Sequence, residues 1–226
     1  MRLLAIDTAL EACAAAVLDT EQGKVASETL PMVRGHAEAL LPLIQRIMQH
    51  ADLGFSALDR IAVTTGPGSF TGLRVGISAA RGIALATGKP AVGLSTLSAY
   101  AAPLLAGDDQ TAVIAAIDAR HNHVYLQMFG PGGRTLVAAR IIAVAEAVRA
   151  VARTPARIVG TGARMLADAW PAGEAPPLLV EDQRAPDIVW VGRLGIAIDP
   201  AAGAPKPLYL RAPDAQPQDA ARLPRR

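Results

Sequence analysis

LLAIDTALEACAAAVLD, Leu3 to Asp19, and AVIAAIDARHNHVYLQMF, Ala112 to Phe129, open the two halves of this chain in the same way. Each is an apolar run that ends in Ile-Asp, crosses a short polar turn and resumes as a second apolar run. This pattern predicts two strand hairpins, with Asp7 and Asp118 in matching places. Two shared residues carry little by themselves, so the order of the elements after each hairpin decides the fold.

After the first hairpin the sequence predicts a third strand at Lys24–Leu30. A helix over His36–His50 comes next, with Ala37, Leu40, Leu41, Ile44, Ile47 and Met48 on one broad face and Pro42 placed to bend it. A strand at Arg60–Thr65, a Gly-rich loop, a helix over Thr71–Ala86, a strand at Ala91–Leu94 and a helix from Ser95 to Leu105 complete the half. The second half repeats this order less clearly, because 11 of the chain's 17 prolines lie at or beyond Pro155. Its strands fall near 112–119, 123–129 and 135–140, then come a helix at Ala143–Arg153, a strand at Arg157–Gly160 and a helix near Ile188–Ile198. KPLYLR, Lys206 to Arg211, reads as a last short strand.

Two successive β-β-β-α-β-α units mean an internal duplication within an α/β fold of mixed sheets flanked by helices. GDDQ, Gly107 to Gln110, reads as the boundary. The expected organisation is a lobe at 1–108, a second at 109–211 and a loosely ordered tail at 212–226.

Composition narrows the function classes. Hydrophobic residues make up 51% of the 226, but much of that is alanine and only 4% is aromatic, which favours close packing through small side chains. No run approaches the ~18 apolar residues of a membrane span, and Asp7 breaks the first apolar stretch too early for a signal peptide. Cys13 is the single cysteine, which excludes an internal disulfide and a multi-cysteine metal site. These features lead us to expect a soluble cytoplasmic protein. Net charge is +2, distributed as 8 Lys/Arg against 10 Asp/Glu in 1–110 and 14 against 10 in 111–226. Arg134, Arg140, Arg149, Arg153, Arg157 and Arg164 meet a single acid, Glu146, over 134–164, an excess that suits either a solvated face or a phosphate backbone.

The densest local signal is TTGPGSFTGLRVGISAARGIALATGKP, Thr64 to Pro90. A strand runs into a glycine loop that opens a helix, a junction that suits an anion or simply a turn capped by Ser69 or Thr71. It is neither a P-loop nor a dinucleotide fingerprint, since no Gly-Lys-Ser/Thr comes after it and Thr71 stands where a third glycine is needed. Along the helix, Gly72, Gly76, Ala80, Ala84 and Gly88 recur every four residues beside Val75, Ala79 and Ile83. Glycine inside a helix costs up to ~1 kcal/mol against alanine, so a close neighbour is expected, either the first helix or a helix of another subunit.

Catalytic signatures are sparse. Of the histidines, His36 has Leu40 four residues on, and His121 and His123 alternate on a hairpin and face opposite ways, so no paired metal site is expected. No Gly-x-Ser-x-Gly elbow occurs, and Ser69, Ser78, Ser95 and Ser98 have no sequence link to a histidine and a carboxylate. Asp7 and Asp118, at strand ends beside an interlobe crevice, are the candidates for metal–phosphate chemistry. With Thr8, Gly66, Gly68 and Ser69 they form a candidate vestigial nucleotide or anion site.

LLAIDTA, RGHAEALLPLI (Arg34–Ile44), TTGPGSFTGLRVGISAARGIALA (Thr64–Ala86), VGLSTLSAYA (Val92–Ala101) and PLYLR (Pro207–Arg211) together resemble the TsaB (YeaZ) family. The resemblance spans both halves, and 130–205 adds little to it. It implies a duplicated actin/Hsp70-like (ribonuclease H-like) two-lobed fold. It also implies a subunit that is not catalytic by itself and partners a paralogue, TsaD, which moves a threonylcarbamoyl group from its adenylate to the adenosine beside the anticodon of tRNA. In that paralogue two histidines four apart on the first helix hold a metal; here His36 has the first place and Leu40 the second.

The resemblance further implies homodimers through the first and second helices, the same surface serving TsaD, with a small ATPase, TsaE, joining the pair. The interface residues expected from it are His36, Leu40, Leu41, Ile44, Gly72, Val75, Gly76, Ala79, Ala80 and Ile83. On this view Gly76→Leu abolishes association and leaves the monomer folded. No metal and no cofactor are required, ATP or ADP binding is left open, and tRNA is contacted within the complex. The alternative is an autonomous actin-fold, ATP-dependent phosphotransferase or ATPase; peptide hydrolysis has no support in these residues.

Overall fold

A computed structural model describes residues 1–107 and 110–211; Asp108, Asp109 and the expected tail at 212–226 lie outside the described residues. In the first half β1 (Arg2–Asp7), β2 (Ala12–Asp19) and β3 (Lys24–Pro31) form an antiparallel meander. Then come α1 (His36–His50), β4 (Arg60–Gly66) parallel to β1, α2 (Phe70–Thr87), β5 (Ala91–Ser95) parallel to β4, and α3 (Thr96–Leu105). The sheet order is β3-β2-β1-β4-β5.

The second half contains β6 (Ala112–Asp118), β7 (His123–Phe129), β8 (Thr135–Ala143), α4 (Val144–Val151), β9 (Ala156–Val159), α5 (Ala163–Asp168), β10 (Leu179–Glu181) and α6 (Ile188–Ala197). Its sheet order is β10-β9-β6-β7-β8. Replacing each strand by its counterpart in the first half gives the same order, so the duplication extends to the sheet topology. The sequence reading missed α5 and β10, which are six and three residues long and flank a segment broken by Pro171, Pro176 and Pro177. Such short elements carry too few periods to register.

KPLYLR is not a strand. Its segment makes one backbone bond to the first sheet, from Leu208 N–H to Thr65 O at 2.8 Å. Pro205 and Pro207 have no N–H to continue a ladder. Helix α1 runs unbroken through Pro42.

Five layers result from the distribution of apolar faces. Strand β2, ACAAAVLD, is buried at all eight positions, so the first sheet is covered on both sides. On its outer side, Leu4, Ile6, Val17, Ile61 and Val63 pack against Leu40, Leu43, Ile44 and Ile47 of α1 and Leu73, Ile77 and Ala80 of α2. Its inner side, Leu3, Ala5, Ala14, Ala16 and Leu18, meets Ile188 and Val191 of α6, which belongs to the second half of the chain. Helix α3 makes the reverse crossing: Leu97, Tyr100 and Ala101 pack on Val113, Ala115, Ile117 and Val159 of the second sheet. Helices α4 and α5 cover the outer side of that sheet.

The exchange of final helices joins the lobes through a shared middle layer. A Cβ on Gly195 would overlap the Ala62 methyl, so glycine is what lets α6 lie this close to β4. Arg60 fixes the same helix end: its Nη1 is 2.9 Å from the Gly195 and Ile196 carbonyls and 2.7 Å from that of Ile198. Those are carbonyls that a helix C-terminus leaves without intrahelical partners.

Candidate functional site

Strand β1 carries Asp7 to the carboxyl end of the first sheet. Alternation puts Leu3, Ala5 and Asp7 on the inner face, toward the middle layer. There the carboxylate is wholly buried; Oδ1 accepts from the Thr64 hydroxyl and, at 3.2 Å, from the Ala9 N–H, while Oδ2 has no partner. Burial pushes the Asp7 carboxyl up to about 6, against the opposing pull of Thr64, the Ala9 N–H and nearby His36.

Asp118 does not share this setting. In the second sheet the inner face is held by Val113, Ala115 and Ile117, so the counterpart of Asp7 is the buried Ile117. Asp118 stands one residue further on, exposed and on the opposite face. Its N–H donates to the Thr161 hydroxyl at 3.0 Å, and its Oδ1 accepts from Arg120 N–H at 2.7 Å. The two Ile-Asp pairs therefore match in sequence but not in space, and the expectation that Asp7 and Asp118 both border one interlobe crevice is corrected.

The glycine loop is filled by its own chain. Ser69 N–H donates to the Ala9 carbonyl at 2.7 Å, and the Ser69 hydroxyl caps α2 by accepting from Gly72 N–H at 3.3 Å. A Cβ on Gly68 would overlap the Ala9 carbonyl, and one on Gly66 would lie 2.9 Å from Leu208 O. The loop thus clasps the turn of the first hairpin, and the Ser69 and Gly72 amides of the expected anion-facing junction are already engaged.

The small-residue stripe of α2 points the same way. A Cβ on Gly72 would strike the Thr8 carbonyl and one on Gly76 the Thr8 hydroxyl, which itself donates to Gly72 O at 2.7 Å. Gly72, Gly76 and Ala80 are buried against β1 and β4, so their neighbour is this chain's own sheet. Their assignment to a partner surface is corrected, and so is the expectation that Gly76→Leu leaves the monomer folded. Leu40 and Ile44 are likewise core residues, at 1% and 0% exposure. His36 is buried with Nε2 3.0 Å from the Leu10 carbonyl. Val75, Ala79 and Ile83 are half-buried, and Leu41 is 60% exposed.

One residue escaped the sequence reading. Gly82 lies outside the four-residue stripe, is exposed in the second half of α2, and a Cβ there would meet nothing within 4 Å. Three residues on, Leu85 is 86% exposed.

The expectation that His121 and His123 face opposite ways does not hold: His121 sits in the β6–β7 turn at φ 51 and not on a strand, and the two line one cavity. Of the six arginines of 134–164, Arg157 is buried, Arg164 pairs with Asp168 at 3.1 Å and Arg153 with Glu174 at 3.7 Å, so they do not form one open face. Cys13 is buried, and burial pushes its thiol up to about 11, which leaves no ready thiolate. No group of three or more His, Cys, Asp or Glu side chains that could hold a metal ion occurs among the described residues. No described helix is long and apolar enough to cross a membrane.

The family model described as TsaD, tRNA N6-adenosine threonylcarbamoyltransferase, matches residues 27–167. The tRNA threonylcarbamoyladenosine biosynthesis protein TsaB of Haemophilus influenzae is 34% identical over 173 residues, covering 72% of each chain. The chain belongs to the TsaB (YeaZ) family. The TsaB protein of Escherichia coli strain K12 is 41% identical over 125 residues, which is 55% of this chain and about half, 53%, of that protein. YeaZ from Pseudomonas aeruginosa has the same fold at a TM-score of 0.77 and 28% identity, covering 92% of this chain and 99% of that one. The two matching sheets and their flanking helices are the duplicated actin-like fold. As a TsaB-family member this chain is a paralogue of the TsaD transferases whose family model it also matches.

Proposed function

We propose that this TsaB-family chain works in tRNA threonylcarbamoyladenosine biosynthesis as a subunit that holds and activates a TsaD-type transferase and is not itself the catalyst. It forms homodimers and, in exchange, heterodimers with the transferase through the outer faces of α1 and α2, and a TsaE-type ATPase joins the pair. Cytoplasmic tRNA is the substrate of the assembly, contacted within it. Support comes from the first helix: Leu40 packs into the core where the paralogue's second histidine would stand, and His36 is engaged by the Leu10 carbonyl.

The observation that carries the reading is Gly82. Gly72 and Gly76 have reasons for being glycine inside the monomer, whereas Gly82 has open space around it and a fully presented Leu85 on the same helix. An exposed glycine within a helix costs about 1 kcal/mol with no return within the chain, which a helix of a second molecule packed close across it would offset. The corrected contact surface is therefore Gly82 and Leu85 with Leu41 and the half-buried Val75, Ala79 and Ile83. Light scattering on a size-exclusion column, with and without the purified TsaD-type paralogue, tests it. Wild type should pass from homodimer to one-to-one heterodimer, and Gly82→Leu should stay monomeric, folded and unable to bind. A Gly82→Leu variant that associates normally refutes the surface; a wild type that ignores the paralogue refutes the function.

No nucleotide is required by this reading. The alternative, an autonomous phosphotransferase, would use the unpartnered Oδ2 of Asp7 for a metal nucleotide between the lobes. The residues present do not fit that group: the second carboxylate faces away and the loop is packed on Ala9. Calorimetry of the isolated chain with Mg-ATP separates the two readings, since heat at millimolar nucleotide would restore the alternative.

A further inference from the structure

Only 8 of the 226 residues are Phe, Trp or Tyr, yet Phe70 and Tyr209 meet at the surface. They are 51% and 46% exposed, with ring centroids 5.4 Å apart and planes tilted by 31°. The Arg74 guanidinium carbon lies 3.7 Å from the Phe70 ring centroid, and Arg74 Nε donates to the Tyr209 hydroxyl at 3.3 Å. Burial does not account for two half-exposed rings and an arginine; their arrangement matches the stacked platforms that hold unpaired bases.

Tyr209 rides on the segment that crosses between the lobes. Leu208 N–H is tied to Thr65 of the first sheet, and Arg211 Nη1 donates to Ala119 O of the second at 3.2 Å. Arg211, at most about 7 Å of chain beyond Tyr209, lines a cavity of about 330 Å³ with His121, His123, Ile141 and Glu146. Arg120, exposed in the same turn, adds a cation, and its N–H holds Oδ1 of the neighbouring Asp118.

We propose that Phe70, Arg74 and Tyr209, with the neighbouring cavity at Arg211, His121 and His123, form a binding strip for single-stranded RNA. A base stacks on the Phe70–Tyr209 pair and the adjoining phosphate sits at Arg211 and the β6–β7 turn. The strip is open and runs across both lobes, which suits a polymer; a free nucleotide is usually held in an enclosing pocket. The choice of RNA rests on the chain's place in tRNA modification. The isolated full chain is used for the test, so that RNA binding and association with the paralogue are read separately.

The experiment is fluorescence anisotropy with a labelled single-stranded decaribonucleotide at several salt concentrations. Wild type should bind saturably, with affinity falling as salt rises. Tyr209→Leu and Phe70→Leu should each weaken binding about tenfold, the loss expected for one stacked base. Arg211→Gln should flatten the logarithmic salt slope by about 0.7, one phosphate contact on a single strand. Arg134→Gln with Arg140→Gln, on and beside β8, should change neither, and thermal melts check that each variant is folded. The proposal is overturned if wild type does not bind, if the Arg134/Arg140 variant loses as much as Tyr209→Leu, if duplex RNA of the same length competes equally, or if AMP competes at equal concentration. Should Tyr209→Leu unfold, Arg74→Gln takes its place with the same expected loss.

Discussion

The Thr8 hydroxyl donates to the Gly72 carbonyl at 2.7 Å, and the same oxygen occupies the space a Cβ on Gly76 would need. One side chain at the end of β1 thus fixes how near α2 can come. Gly76→Ala should destabilise the protein by about 1–3 kcal/mol through overpacking. Thr8→Ala removes the obstructing oxygen, so the double variant should lose less than the two single losses combined. Urea denaturation of the four proteins measures the coupling; strict additivity would mean that Gly76 is not held against Thr8.

Gly82 should respond in the opposite sense. With open space at its Cβ position, Gly82→Ala should raise the stability of the monomer by about 0.5–1 kcal/mol. A higher melting temperature at dilute concentration is the expected result. Destabilisation there would show that this face of α2 is packed against a neighbour within the chain.

Asp7 should make stability fall as pH rises. Its carboxyl is held near 6 in the folded chain against an ordinary 3.8. The native state then binds the proton more tightly, so the contribution is fully present below about 4 and is lost as pH climbs through 6. The gap corresponds to about 3 kcal/mol. Asp7→Asn should flatten the stability profile between pH 4 and 7. An equally steep profile in the variant would assign the dependence to another group.

Arg60 should matter more than its place on a strand end suggests. It is the donor to the last carbonyls of α6, and its Nε is buried without a partner. Arg60→Met should cost about 2–3 kcal/mol, the value of charged hydrogen bonds whose carbonyl partners are left unmet. Hydrogen exchange should locate the loss at 188–198 and not at β4 itself. Unchanged protection of that segment would mean that α6 is held by apolar packing alone.

Much of the architecture was readable because it is written in local periods. The run His36–His50 has one apolar face and forms α1 with those bounds, and the strands expected at Lys24–Leu30 and Ala91–Leu94 form and run one residue further, to Pro31 and Ser95. The candidate site was less legible. Asp7 and Asp118 look equivalent because both come after isoleucine, but a one-residue offset in a period of two turns one inward and the other out. The glycines of α2 look alike in sequence, and only the position of Thr8 separates those facing the sheet from Gly82, which faces outward.

The sequence by itself determined that there are two hairpin-led repeats, where most of the helices and strands lie, and which family the motif Gly66 to Gly76 belongs to. It could not determine which helix covers which sheet. Strands such as β2 are apolar at nearly every position, so their pattern says that both faces are buried without saying by what. Only the tertiary structure decided that α3 and α6 trade lobes, that Asp7 is closed inside the layer they form, and that Gly82 rather than Gly76 is turned outward. Those are contacts between residues far apart in the chain, set by the summed packing of whole layers and leaving no period in the local sequence.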